Sequence, residues 1–205
     1  ITAIALNCEN NRDERSRYLL VENRKVENYV DMALYYARMD AVYKDYMIAE
    51  TNLQEVAQQV LLQNKYYLIQ SHVKAEVACP DTVYSDKKWI AFILNQLIQN
   101  SVKYGRSEGT HIQIVTKKTK SGVLLRVKDD GIGIPKEEIP RIFEKGFTGT
   151  NGRNRERSTG MGLYLCRKLC DKLNIEIRAE SAEGKGTEII LMFPVSDYLT
   201  GYRET

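Results

Sequence analysis

Long hydrophobic runs, a strong charge of one sign and a cluster of cysteines are all missing from this chain of 205 residues. No stretch approaches the roughly 18 consecutive apolar residues that a membrane-spanning helix needs. The net charge of +3 is too small to indicate a dedicated nucleic-acid surface, so we expect no nucleic-acid partner. The chain shows no signal peptide and begins at Ile1 rather than at an initiator Met. These absences predict a soluble piece of a longer protein.

Cysteine is scarce and scattered, and only Cys166 and Cys170 are close together, one helical turn apart. No further Cys or His stands beside that pair, so a zinc site would lack its third and fourth ligands. Cys8 and Cys79 are isolated. The pattern predicts reduced core cysteines in a cytosolic protein.

Glycine and proline are absent from residues 1–45, which sets this segment apart from the rest of the chain. A short first helix and a polar turn are predicted at its start. A long second helix is then indicated by apolar residues at helical spacing: Tyr18, Val21, Val26, Tyr29, Val30, Ala33, Leu34 and Ala37. Two helices cannot bury such a stripe alone, so we predict an antiparallel helical hairpin that pairs with a second copy in a four-helix bundle. The alternative is that the stripe packs against the neighbouring domain.

From residue 46 onward, helical and strand patterns alternate, which predicts a second domain over residues 46–205. Helices are predicted at residues 53–70, 86–104 and 162–173. Strands are predicted at residues 72–78, 111–117, 123–128, 175–180 and 188–193. Thr51 or Asn52 is the candidate N-cap of the first helix. This order predicts an α+β fold with a layer of helices on a mixed sheet.

The stretch between the strand that ends near residue 129 and the helix that begins near residue 162 contains little regular structure. A loop of some 30 residues is unusual in a compact domain and is typical of a lid or binding loop. Its many glycines and its cations Arg153, Arg155 and Arg157 favour a lid over an anionic ligand. A plain surface loop is the alternative.

The sequence Asp-Asp-Gly-Ile-Gly-Ile-Pro occupies residues 129–135, directly after a predicted strand. Glycines beside an acidic strand end let a ligand approach the backbone closely. A buried carboxylate only accepts hydrogen bonds, so Asp129 could hold the exocyclic amine of adenine and would reject the carbonyl of guanine. Neither the P-loop signature nor Gly-x-Gly-x-x-Gly accompanies this motif.

Four further motifs accompany it, of which two could hold a phosphate ligand. Asn100 and Lys103 share one face near the end of a predicted helix, where the Asn oxygen suits Mg²⁺ and the Lys neutralises phosphate. Arg-Ile-Phe-Glu-Lys-Gly-Phe occupies residues 141–147, and Gly-Lys-Gly-Thr occupies residues 184–187. Ser-Thr-Gly-Met-Gly-Leu-Tyr-Leu at residues 158–165 opens a helix whose unpaired N–H groups could hold phosphate. Taken alone, the motif at Asn100 and Lys103 could be a polar helix end, and the one at residues 184–187 could be a hairpin turn.

Together and in this order, the five motifs resemble the catalytic domain of sensor histidine kinases, in the GHKL ATPase superfamily. The resemblance covers about residues 46–195, and residues 1–45 are similar to part of the family's dimerisation and histidine-phosphotransfer hairpin. It implies a two-layer α/β sandwich (the GHKL or Bergerat ATP-binding fold) preceded by an antiparallel helical hairpin. The local sequences at residues 35–38, 86–89 and 158–165 further resemble those of the short bacitracin-resistance type of sensor kinase.

The resemblance also implies a site for ATP and Mg²⁺ made from all five motifs. Asn100 would hold Mg²⁺ and would be catalytic together with Lys103. Asp129 would read the adenine amine, and Phe143 and Phe147 would anchor the lid. The implied nucleotide-binding set is Asn100, Lys103, Tyr104, Asp129, Gly131, Gly133, Ile134, Phe143, Phe147, Gly160, Met161, Gly162, Leu163 and Thr187.

Several positions depart from the family pattern. Gln96 and Asp130 stand where Asn is common, and Ser158 stands where Gly is common. The larger departure is the phosphoacceptor, because neither His72 nor His111 lies in the family's His-to-Thr-Pro context. Both are interpreted as surface or strand histidines. We expect the acceptor motif to precede the first residue, so that this fragment binds ATP without autophosphorylating.

As a whole, the resemblance implies the cytoplasmic part of a bacterial two-component sensor kinase whose parent lies in the cell membrane. Its partners would be ATP or ADP, a response regulator whose aspartate receives the phosphate, a second copy of the chain and a peptide-exporting ABC transporter. A nucleotide-binding regulatory module without transfer activity is one alternative. Another GHKL ATPase is a second, although such enzymes need a catalytic Glu where Gln96 or Gln99 stands here.

Overall fold

The computed structural model describes residues 14–38, 46–150 and 159–195. Its helices with described bounds are α1 (Glu14–Arg38), α2 (Leu53–Gln63), α3 (Lys65–Gln70), α4 (Lys87–Lys103) and α5 (Gly162–Lys172). Its strands are β1 (Ala49–Asn52), β2 (Val73–Ala78), β3 (Thr82–Ser85), β4 (Thr110–Thr119), β5 (Gly122–Asp129), β6 (Glu176–Ala182) and β7 (Gly186–Pro194). A short 3₁₀ turn covers Ile139–Arg141.

One sheet of five strands forms a layer of the second domain, in the order β2-β4-β5-β7-β6. β2 and β4 run parallel, and the other neighbouring strands run antiparallel. Helices α2, α4 and α5 pack on one face of this sheet. The predicted α+β architecture, a layer of helices on a mixed sheet, is therefore confirmed. The antiparallel pair of β1 and β3 was missed, because strands of four residues are too short to show a clear alternation.

Along the central strands, buried apolar residues that face the helices alternate with residues on the opposite face of the sheet. Leu125 and Val127 of β5 are buried, and so are their partners in register, Leu191 on β7 and Ile114 on β4. Asp129 continues the same alternation two residues after Val127, so its side chain also lies on the helix side of the sheet. The strand period thus brings a carboxylate to the boundary between sheet and helices.

Helix α4 is the central helix of the helical layer. It begins after the N-cap Asp86, whose Oδ1 accepts the backbone N–H groups of Lys88 at 2.9 Å and Trp89 at 3.4 Å. Its apolar face is buried as predicted, at Trp89, Ile90, Ile93, Leu94, Leu97, Ile98 and Val102. Ser101 is buried as well, so a hydroxyl group stands near the end of this otherwise apolar face.

The single helix predicted over residues 53–70 is wrong, because the structure divides it at Asn64 into α2 and α3. Asn64 is buried, and its side-chain amide donates to the carbonyl of Val60 and to Oδ1 of Asn95 on α4, both at 2.8 Å. The first bond caps the end of α2, and the second ties Asn64 to α4. Asn52 is the N-cap of α2, and its side chain accepts a backbone N–H three residues on at 3.1 Å.

Helix α1 has the length predicted for the second helix of the N-terminal segment. Met32 packs against the core of the second domain, and the ammonium group of Lys145 donates to the Tyr36 hydroxyl. Much of the predicted stripe is exposed, at Tyr18, Val26, Tyr29, Val30 and Leu34. The predicted first helix and Cys8 lie outside the described residues, so the hairpin and its pairing stay predictions. None of the described helices is both long enough and apolar enough to cross a membrane.

Cys79, Cys166 and Cys170 are buried free thiols. Burial raises the pKa of each of them, to about 11 for Cys79 and about 12 for Cys170. Thiols with raised pKa values are weak nucleophiles and poor metal ligands at neutral pH, which agrees with the predicted structural role.

Asp86 ties the start of α4 to the segment before β1, since its Oδ2 accepts the backbone N–H of Met47 at 2.8 Å. We expect Asp86→Ala to lower the free energy of unfolding by about 2–3 kcal/mol, because it removes three hydrogen bonds at a buried position. The exposed N-cap Asn52 is the matched control, and Asn52→Ala should cost about 1 kcal/mol or less. Urea unfolding followed by circular dichroism measures both losses. Equal losses in the two variants would contradict the bridging role of Asp86.

Candidate functional site

Three elements meet at the carboxylate of Asp129, the last residue of β5, which is 9% exposed. The Ser101 hydroxyl of α4 donates to Oδ2 at 2.8 Å. The backbone N–H groups of Gly131 and Thr187 donate to Oδ1 at 3.0 and 3.1 Å. The carboxylate is therefore oriented by a helix, by the turn that follows β5 and by the start of β7.

Burial raises the pKa of Asp129 above its ordinary value, because the charged carboxylate loses solvation. The three hydrogen bonds act in the opposite direction, and the nearby charge of Asp130 adds to the rise. An ionised carboxylate offers about four acceptor positions, of which the described donors occupy three. Asp129 thus has capacity to accept one more donor, from a ligand.

Gly131 and Gly133 let the turn after β5 pack closely against the end of α4 and the end of β6. A Cβ at Gly131 would lie 2.6 Å from the carbonyl oxygen of Tyr104. A Cβ at Gly133, where φ is +71°, would lie 2.0 Å from the carbonyl oxygen of Ala182. These glycines therefore permit the close approach of the chain's own backbone, a role that the sequence pattern did not indicate.

Two serines that the motifs did not single out organise the site. Ser181 accepts the N–H of Ile134 at 2.9 Å, donates to the carbonyl of Gly186 at 2.7 Å and lies 3.0 Å from the Thr187 hydroxyl. Ser101 had a signal in the sequence, because it continues the buried spacing of α4 with a small polar residue. Ser181 had none, since its contacts arise only when β6 pairs with β7.

Asn100, Lys103 and Tyr104 lie in and just beyond the last turn of α4, and their side chains are half-buried. The Tyr104 carbonyl accepts the N–H of Ile132 at 3.0 Å, so the helix end is attached to the glycine turn. Within the described ranges, no protein group bonds the Asn100 amide, which leaves its oxygen available to a ligand. Those ranges also hold no cluster of three or more acidic, His or Cys side chains suited to a metal. A single amide oxygen fits Mg²⁺, which takes most of its ligands from water and phosphate.

A backbone hydrogen bond joins the middle of the predicted lid to its C-terminal end, from the N–H of Gly146 to the carbonyl of Gly160 at 3.1 Å. Met161 is the N-cap of α5 and makes no side-chain cap bond. The first N–H groups of α5, from Gly162 onward, therefore have no intrahelical partner and point out of the helix start. Gly162 lies beside α4, where a Cβ would be 2.9 Å from Oε1 of Gln96.

Aromatic and apolar side chains pack two parts of the predicted lid against the domain. Phe143 and Phe147 pack half-buried against the core, as do Met161 and Leu163. The guanidinium of Arg141 lies 4.6 Å from the centroid of the Phe147 ring, within cation–π distance. Four residues singled out in the sequence lie outside the described ranges: Arg153, Arg155, Arg157 and Ser158.

Within the described residues, the side chains of Asp130 and the two histidines bond groups other than the Asp129 carboxylate or lie in a turn of the sheet. Oδ1 of Asp130 accepts the backbone N–H of His111 at 2.8 Å. The His111 side chain on β4 pairs with Glu76 on β2 at 3.2 Å. His72 occupies the turn before β2 with a φ of 53°. The structure therefore places both histidines at strand positions and turns of the sheet.

Residues 85–197 match the family model described as histidine kinase-, DNA gyrase B-, and HSP90-like ATPase. The chain belongs to this family. The match covers more than half of the chain and includes α4, the glycine turn and the start of β7, which together surround Asp129.

Two relatives that the chain matches over most of its length are named as sensor kinases. Sensor protein kinase GraS of Staphylococcus aureus is 35% identical over 203 residues, which are 96% of this chain and 57% of GraS. Sensor histidine kinase YxdK of Bacillus subtilis is 34% identical over 174 residues, which are 84% of this chain and 54% of YxdK. The chain thus spans a little more than half the length of these relatives.

Solved structures of the same ATPase family share the fold. The catalytic domain of histidine kinase ThkA gives a TM-score of 0.62 at 26% identity and covers 72% of this chain and 97% of that chain. ThkA in complex with the response regulator protein TrrA gives a TM-score of 0.64 at 20% identity, over 92% of this chain and 53% of that chain. The fold of histidine kinase catalytic domains, expected from the resemblance, is confirmed.

The raised pKa of Asp129 predicts a specific pH dependence of stability. The folded carboxyl binds its proton more tightly than the unfolded one, so its favourable contribution is fully present below the ordinary pKa of 3.8 and is lost as pH rises through the folded pKa. The free energy of unfolding of wild type, relative to Asp129→Asn, should therefore fall as pH rises above about 4 and through the folded pKa. Urea unfolding of both proteins measures the difference. A difference that does not vary with pH would contradict the raised pKa.

Proposed function

We propose that this chain is the ATP-binding catalytic part of a two-component sensor histidine kinase. The observation that carries the proposal is the buried Asp129 carboxylate, oriented by three donors from three elements. The family match and the sensor-kinase relatives support the same assignment. In the whole protein, the γ-phosphoryl group of ATP would pass to a histidine and then to an aspartate of a response regulator.

Base recognition would take place at Asp129. Adenine presents an amine donor at the edge where guanine presents a carbonyl acceptor, and an ionised carboxylate only accepts. Asp129 would therefore bind adenine and repel guanine. The turns that hold the carboxylate in place would also border the base, at Gly131, Gly133, Ile134 and Thr187.

Phosphate recognition would take place at the end of α4 and the start of α5. Lys103 and Tyr104 would line the nucleotide, with the Lys charge directed at the phosphates. Asn100 would hold Mg²⁺, which neutralises charge on the triphosphate when it is bound. The remaining residues of the phosphate side and the lid would be Gly160, Met161, Gly162, Leu163, Phe143 and Phe147. Catalysis would consist of positioning and charge neutralisation, because phosphoryl transfer needs little covalent chemistry from the protein.

The parent protein would supply the remaining parts of the phosphorelay. Its acceptor histidine would lie outside this chain, since His72 and His111 both belong to the ATP-binding domain. A response regulator would receive the phosphate, by analogy with ThkA, which has been solved with TrrA. A second copy would pair through the exposed stripe of α1. Membrane segments of the bacitracin-resistance type would place this domain in the cytoplasm and contact a peptide-exporting ABC transporter.

Asp129→Asn tests the adenine site. The Asn oxygen can still accept the N–H groups of Gly131 and Thr187, but its amide N–H₂ replaces Oδ2 and would oppose the adenine amine. We expect the affinity for Mg-ADP to fall by about 10- to 100-fold, because a hydrogen bond to a charged acceptor is lost. Titration calorimetry measures it, and GDP should give no binding to wild type.

Asp130→Asn is the matched control, since it makes the same chemical change one residue along the chain. Its side chain accepts the N–H of His111, and Asn keeps an acceptor for that bond. The affinity for Mg-ADP should change by less than about twofold. Equal losses of Mg-ADP affinity in the two variants, or a wild-type protein that does not bind ADP, would reject the proposed function.

Asn100→Ala tests the phosphate end separately. Removing the amide oxygen should weaken Mg-ADP binding by roughly tenfold and abolish the response of ADP affinity to Mg²⁺. Adenosine binding should be unaffected, because adenosine carries no phosphate. Titrations of both ligands, with and without Mg²⁺, give the comparison. If adenosine binding weakened as much as ADP binding, Asn100 would be acting on the fold and not on the metal.

A further inference from the structure

The exposed side chain of Arg106 bridges the two turns that surround Asp129. Its Nε donates to the carbonyl of Asp130 at 2.8 Å, and its Nη2 donates to the carbonyl of Gly184. The first carbonyl belongs to the glycine turn after β5, and the second belongs to the turn between β6 and β7. A single planar guanidinium thus connects two turns that are distant in the sequence.

The backbone of Arg106 is itself held in place next to α4. Its N–H donates to Oγ1 of Thr110 at 2.9 Å. Gly105 packs so tightly before it that a Cβ there would lie 2.2 Å from the same oxygen. Tyr104, the C-cap of α4, comes directly before Gly105. Arg106 therefore links both turns to the end of the helix that carries Asn100.

Other hydrogen bonds join the two turns to each other, and the N–H of Ile132 joins the glycine turn to the carbonyl of Tyr104 at the end of α4 at 3.0 Å. The N–H of Gly184 donates to the carbonyl of Ile132 at 2.7 Å, and the N–H of Ile134 donates to Ser181 at 2.9 Å. Arg106 adds to this set a side-chain link from the residues after α4 to both turns at once, including the turn between β6 and β7. The donors that orient the Asp129 carboxylate come from these same three parts, the helix and the two turns.

We propose that Arg106 is a positioning residue for base recognition, an inference that rests on the proposed function. Arg106 does not touch the base; it holds the N–H groups of Gly131 and Thr187 where they orient the Asp129 carboxylate. If the turns separate from α4, the arrangement that binds adenine is populated for a smaller fraction of the time. The apparent dissociation constant then rises by the inverse of that fraction.

Arg106→Gln tests the proposal, because Gln is polar but too short and too narrow to reach both carbonyls. We expect the dissociation constants of ADP and of adenosine to rise by the same factor, about three- to tenfold, since Arg106 acts at the base end. Arg106→Lys places one ammonium group near the carbonyls and should restore part of the affinity. Arg178→Gln is the matched control, because Arg178 is exposed on β6 and contacts Glu180 at 4.0 Å. It should leave both constants unchanged.

Amide hydrogen exchange separates positioning from a general loss of structure. In Arg106→Gln the N–H groups of Gly184 and Thr187 should exchange faster, while those of Val127 and Leu191 in the central strands keep the wild-type rates. Unchanged affinities, or faster exchange throughout the sheet, would overturn the proposal. A wild-type protein that does not bind ADP would reject the proposed function itself. Faster exchange confined to the turns would then mark Arg106 as a structural link only, which also overturns the positioning role.

Discussion

The carboxylate of Asp129 sits where solvation is poor, and its raised pKa reports the cost of keeping a charge there. Ser101, Gly131 and Thr187 offset that cost with one hydrogen bond each. Each donor belongs to a different element. The positions of α4, the glycine turn and β7 therefore depend on one another through the Asp129 carboxylate. Moving any one of them away would leave a buried charge short of a partner, at about 1–3 kcal/mol.

This coupling accounts for glycine on both sides of the carboxylate. Gly131 and Gly186 occupy positions where a Cβ would meet backbone atoms, at 2.6 Å from the Tyr104 carbonyl and 2.0 Å from the Asp129 carbonyl. A side chain at either position would push a turn outward and carry an N–H donor away from Oδ1. The two glycine motifs therefore serve the geometry of the protein's own hydrogen bonds before they serve any ligand.

Features that depend on neighbouring residues, such as apolar periodicity and helix caps, could be predicted from the sequence. Features that depend on contacts between distant residues could not. The helix predicted at residues 86–104 corresponds to α4 and its two caps, because its apolar stripe and its capping Asp86 are local features. The division at Asn64 was missed, since it depends on Asn95 in another helix. The motif order indicated the ATPase family and singled out Asp129. It did not reveal the donors to Asp129, because two of the three are backbone N–H groups, which any residue except proline supplies.

Helix geometry explains how one end of α4 can take part in two tasks. Successive residues of an α-helix point about 100° apart, so neighbours on the chain face different surroundings. Ser101 points into the core and bonds Asp129, while Asn100, one residue earlier, is half-buried and its side-chain amide bonds no protein group in the described part of the chain. The same helical turn is thereby held through its buried hydroxyl, and the amide that we propose as a metal ligand lies beside that hydroxyl. The bond from Ser101 to Asp129 therefore fixes the backbone beside Asn100, so the order imposed at the Asp129 carboxylate reaches the phosphate end of the proposed site.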